Sequence, residues 1–157
     1  MMNLKSEYER DFDGWLNHNI HLLRQGKFTE IDAEHLIEEL EDMGRERKSE
    51  LVSRFIVLIA HLLKWQFQYR QLAEQWREFE GKSWRKTIIE QRLQIDHKLE
   101  DSPSLKAYLN TAIEKAYPKA VAYAVEETGL NRSVFPTHCP YSVSQLLDHG
   151  FFPLAEE

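Results

Sequence analysis

The feature that most constrains this chain is the run Leu51 to Trp65, LVSRFIVLIAHLLKW. Nothing else in the sequence is so apolar for so long. Its longest unbroken apolar piece, Phe55 to Ala60, is far short of the roughly 20 residues a membrane-spanning helix needs. The run therefore reads as the central helix of a soluble helical domain. At 100° per residue, Leu51, Val52, Phe55, Ile56, Leu58, Ile59, Leu62, Leu63 and Phe67 fill an arc of roughly 180°, extended by Ala60, as expected of a helix covered by several others. The remaining sector is polar and carries Glu50, Arg54, His61, Lys64 and Gln68.

A length of 157 residues fits one domain with a core of its own. The net charge of −6 argues against a broad nucleic-acid footprint, which needs clustered Lys and Arg. A single cysteine, Cys139, excludes an internal disulfide and suits a reducing compartment. The opening MMNLKSEYERDFDGW has neither a signal core nor a transit-peptide composition, so the cytoplasm is the expected location.

Helical spacing of Tyr8, Phe12, Trp15, Leu16, Ile20, Leu22 and Leu23 predicts a first helix from about Glu7 to Gln25, closed by Gly26, with Phe28 folding back on its last turn. His18 and His21 share a face three residues apart, which is half a metal site; without a third ligand they read as a surface pair. Asp32 is the expected N-cap of a second helix, whose apolar face is Ala33, Leu36, Ile37, Leu40 and Met43. Its carboxylates, Glu34, Glu38, Glu41 and Asp42, with Glu39 toward the edge, lack the Glu-x-x-His pairs of a di-metal bundle and read as a solvated face. Whether the helix passes through Gly44 is open at this level, because one helical Gly costs only about 1 kcal/mol.

Helical spacing continues through Tyr69, Leu72, Trp76 and Phe79 to a stop at Gly81. Ser83 is the expected cap of a helix striped by Trp84, Ile88, Ile95 and Leu99, with Arg85 and Arg92 beside the stripe seeking carboxylates such as Glu39 and Glu50. Asp101-Ser102-Pro103-Ser104 is a break and restart. The next helix, with Pro118 expected to kink it, closes at Gly129. From about residue 130 the chain reads as a strap with one short helix opened by a Ser142/Gln145 capping box. His138-Cys139 invites a nucleophile reading, but Cys-Pro-Tyr reads as turn and packing chemistry. The fold expected is all-α: a single bundle of four to five main helices with a short C-terminal helix and strap.

Several segments recur together elsewhere: Asp11-Phe12-x-x-Trp15-Leu16, IDAEHLIEELEDMGRERKSEL from Ile31 to Leu51, His61-Leu62-Leu63-Lys64-Trp65-Gln66, Ser83-Trp84-Arg85, Asp101-Ser102-Pro103-Ser104-Leu105 and Cys139-Pro140-Tyr141. In that order they resemble the bacterial family catalogued as domain of unknown function twenty-nine (DUF29). The resemblance implies an all-helical intracellular bacterial protein and carries over no catalytic residue. The chain departs from the family at Tyr69, where a proline is expected, and in a longer piece up to Gly81, which implies an extended second hairpin.

No phosphate-binding loop, nucleophile elbow or metalloprotease motif is present, and no cofactor or metal is called for. The expected function is a helical interaction or structural module with a protein partner or a second copy, Trp76 and Phe79 forming its contact surface. The runner-up is a small-ligand or metal-binding protein, or an enzyme, with Glu39, Arg54, His61 and Arg92 lining a polar site between helices.

Overall fold

The computed structural model describes residues 3–75 and 81–155. Every regular element among them is helical, so the fold is all-α. In order these are α1 (Leu4–Arg10), α2 (Phe12–Arg24), α3 (Ala33–Phe67), α4 (Tyr69–Gln75), α5 (Lys82–Asp101), α6 (Leu109–Thr128) and α7 (Val143–Leu147), with 3₁₀ turns at Pro103–Tyr108 and Arg132–Val134. The chain divides into two compact units, Met1–Glu46 and Arg47–Glu157. Residues of α3 belong to both.

The first unit opens differently from the single helix that periodicity predicts. Asp11 leaves helical geometry at φ −148°, closing α1 and capping α2 by accepting from Gly14 N. The short acceptor suits an N-cap better than a helix interior. α2 ends as expected in a Schellman turn, with Lys27 N donating to Leu22 O and Gly26 N to Leu23 O, and Gly26 at φ 73°. Phe28 does not fold back; it is 67% exposed.

Trp15 is the centre of this unit. Its ring is fully buried and its Nε1 donates to Asp32 Oδ2 at 3.0 Å. Asn19, also buried, spans the hairpin, with Nδ2 donating to Trp15 O at 2.8 Å and Oδ1 accepting from Asp32 N at 2.9 Å. Asp32 thus caps α3 and fastens it to α2. The polar atoms of Trp15, Asn19 and Asp32 are tolerated in the interior because each of these side chains finds a partner.

The second unit is organised around the run the sequence singles out. Leu51, Phe55, Leu58, Ile59, Leu62 and Leu63 of α3 are buried with Ile88, Ile95 and Leu99 of α5 and Ala112, Ala116, Ala120, Val121 and Ala124 of α6. The small α6 residues bring its backbone close to its neighbours. Pro118 lies inside α6 without ending it. Gly129, at φ 70°, closes that helix, and the Ser142/Gln145 capping box opens α7 with both reciprocal bonds made. α5 begins one residue before the expected Ser83 cap, directly after Gly81 in the left-handed region. α3 passes Gly44 without interruption.

Candidate functional site

Two polar groupings deserve a chemical reading, one in each unit. In the second unit, the polar seam of α3 is fastened rather than open. The His61 ring donates from Nδ1 to Val57 O at 2.8 Å. Burial, with the charge of Lys64 next, pushes its pKa down, so the ring is neutral at physiological pH. Lys64 is itself buried, bonded to Glu127 Oε2 at 2.6 Å, with its ammonium 5.1 Å from the centre of the Trp84 ring. Arg54 is half-buried. Its charge adds to the effect of Lys98, whose ammonium sits 2.5 Å from Glu50 and is the main cause of that carboxylate's lowered pKa.

Arg92 has a different occupation from the one its position suggests. Its Nε donates to Leu146 O at 2.9 Å and its Nη2 to Gln145 O at 3.2 Å, and the guanidinium lies 5.6 Å from the Phe152 ring centre. These are carbonyls at the end of α7, where unsatisfied acceptors and the helix dipole favour a cation. The carboxylates expected as its partners are engaged elsewhere: Glu50 by Lys98, and Glu39, in the first unit, by the Tyr8 hydroxyl, whose pKa that bond raises to about 12. Glu39, His61 and Arg92 therefore bond to different partners: Tyr8, Val57 O and the carbonyls of α7. Trp76 and Phe79 lie outside the described residues.

Cys139 is half-buried, its thiol 3.6 Å from Tyr141 O, and burial raises its pKa. That is the opposite of what an activated nucleophile needs. It borders a cleft of about 700 Å³ with Tyr117, Pro118, His138 and Val143.

The first unit holds the grouping that sequence reading left half-made. The Glu7 carboxylate, 1% exposed, holds His18 Nδ1 at 2.8 Å, and His18 and His21 both line a cleft of about 680 Å³ with Asn3, Lys5, Glu30 and Asp32. A carboxylate on Nδ1 fixes a histidine's tautomer and orientation and leaves Nε2 for other work. The sequence flagged both histidines but not Glu7, eleven residues earlier in the chain. Only the turn at Asp11, which folds α1 back along α2, brings it to the ring. Among the described residues, no group of three or more His, Cys, Asp and Glu side chains is placed to hold a metal ion. Nor is any helix there long and apolar enough to cross a membrane.

The most extended surface feature also belongs to the first unit. Phe12, Leu16, Ile20 and Leu23 of α2 are 37–42% exposed, and Ile37, Leu40 and Met43 of α3 are 54–64% exposed. Sequence periodicity assigns both stripes to the apolar faces of their helices. In the structure, Trp15 and Asn19 take the inward positions of α2, and the stripe one step round the helix stays outside.

A family model described as "Domain of unknown function DUF29" matches residues 7–152. The chain belongs to DUF29. Searches of curated proteins and of solved structures found no match to this DUF29 chain. Both groupings above and the exposed stripes fall within the span that the DUF29 model covers.

Proposed function

We propose that this DUF29 chain is a helical protein-interaction module. The observation that carries the reading is the set of seven large apolar side chains left exposed on α2 and the first turns of α3: Phe12, Leu16, Ile20, Leu23, Ile37, Leu40 and Met43. Scattered exposed hydrophobics are ordinary, but helical stripes of them mark surfaces that meet a partner. Trp76 and Phe79, the residues first expected to form such a surface, extend the reading only at the level of sequence. Placing a photo-crosslinking residue at Leu16 or Leu40 in the source organism tests it. Discrete adducts are expected from these positions and none from Glu90, an exposed position on α5. Absence of any adduct at Leu16 and Leu40 ends the reading.

A second reading, binding of a small ligand, is favoured by the buried Glu7 carboxylate that aims His18 at the wall of a cleft. It uses residues other than the polar site expected at Glu39, Arg54, His61 and Arg92. Native mass spectrometry of the purified protein and of His18→Gln tests it. A bound small molecule lost in the variant supports the reading, and an unliganded wild-type protein counts against it.

A further inference from the structure

Resting on the interaction reading above, we infer that the partner of α2 is a second copy of this chain, seated antiparallel on the same stripe about a two-fold axis between Leu16 and Ile20. Leu16, Ile20 and Leu23 occupy the flank of α2 turned away from α1, while Phe12, at the start of the stripe, has its ring 5.8 Å from that of Tyr8 in α1. The α1-facing side is fixed by Gly14, where an added Cβ would lie 2.8 Å from Glu7 Oε1, and by His18, which binds Glu7. The inward side is fixed by Trp15 and Asn19. Phe12, Leu16, Ile20 and Leu23 therefore form one continuous exposed edge.

The charges along that edge select the occupant. On a helical wheel Asp13 and Arg24 share the outer rim of the stripe, about 16 Å apart along the axis at 1.5 Å per residue. Both are exposed, and neither has an ion-pair partner among the described residues. A parallel copy would set Asp13 against Asp13 and Arg24 against Arg24. An antiparallel copy instead lays Leu16 on the partner's Ile20 and Phe12 beside the partner's Leu23. Asp13 then meets the partner's Arg24, and every contact occurs twice by symmetry. The pattern is thus self-complementary, with an apolar centre and a charged rim, the usual anatomy of an interface. Three helical turns are small against the roughly 800 Å² per partner of a stable interface, so the association is weak and concentration-dependent.

Sedimentation of the full chain over an approximately hundredfold concentration range tests this. The expected result is a reversible monomer–dimer equilibrium, abolished by Leu16→Glu with the helical circular dichroism unchanged, because that side chain is already partly in solvent. Asp13→Arg and Arg24→Asp should each weaken the dimer by about tenfold, two symmetric pairs turning from attractive to repulsive. The double exchange should recover most of that loss. Recovery is diagnostic, since both changes oppose the helix dipole and a purely structural effect would add rather than cancel. A monomer at every concentration, a dimer indifferent to Leu16→Glu, or a double exchange no better than the single ones overturns the inference. If the chain is monomeric while the crosslinker at Leu16 captures one discrete different protein, self-pairing falls and the interaction reading stands; if it captures nothing, both fall.

Discussion

The guanidinium of Arg92 donates to the carbonyl oxygen of Leu146, fifty-four residues further along the chain, at 2.9 Å. One buried side chain on α5 thereby holds the C-terminal strap in place. Arg92→Met should remove both carbonyl bonds and the contact with Phe152 while keeping much of the stem's volume. We expect a loss of about 2–4 kcal/mol, the range for orphaning buried polar partners. Arg85→Met, which among the described residues loses a ring contact to Phe152, should cost less than about 1 kcal/mol. Urea unfolding of the two variants checks the contrast.

The Asp32–His35 pair makes the first unit pH-dependent. The His35 Nδ1 bond to Asp32, 2.7 Å long, raises the histidine's pKa. For Asp32, burial works to raise the value but is outweighed by the bonds from His35 and Trp15, and the net shift is downward. The histidine's contribution is present in full below its unfolded pKa, near 6.5, and is lost as pH rises through the higher folded value. The aspartate's contribution is present above 3.8 and is lost as pH falls through the lower folded value. The stability difference between wild type and His35→Gln should therefore be largest at pH 5 to 6 and shrink on the alkaline side. A difference that grows with rising pH would contradict the assignment.

Gly44 and Gly81 should respond oppositely to alanine. A Cβ at Gly44 meets nothing within 4 Å, so Gly44→Ala in the middle of α3 should raise stability by about 0.5–1 kcal/mol. Gly81 sits at φ +67°, and a Cβ there would lie 2.5 Å from Tyr69 Cε2. Gly81→Ala should cost about 1–3 kcal/mol through strain and that clash. Paired thermal melts decide it.

Cys139 should be slow to react. With its pKa raised by burial, alkylation by iodoacetamide at pH 8 should be much slower in the native protein than in urea-unfolded chain. Comparable rates would mean the thiol is accessible and activated.

Much of the second unit was legible because one apolar run and its stripes on α5 and α6 have a single sensible arrangement: the positions that share a face are the ones that are buried. The first unit resisted for a specific reason. Periodicity cannot see that Asp11 turns the chain, and a continuous helix through that point hides both the Glu7–His18 contact and the exposure of Phe12, Leu16 and Ile20. Likewise Arg92 was recognisable as a cation beside an apolar stripe. Its acceptors were not, since carbonyls at a helix end have no side-chain signature.

From Leu40 to Glu50 every side chain of α3 is exposed. Those turns rest on intrinsic propensity, on local pairs such as Arg45 with Glu41 and Asp42 and, at their end, on surface contacts such as Glu50 with Lys98 and Arg47 with Ser102, whereas the stretch from Leu51 onward is buried in the core. A helix continuous in hydrogen bonding is thus discontinuous in cooperativity. Amide hydrogens in the middle of α3 should exchange orders of magnitude faster than those between Phe55 and Leu63, so the longest element of the fold opens from its centre while its core-packed half stays closed.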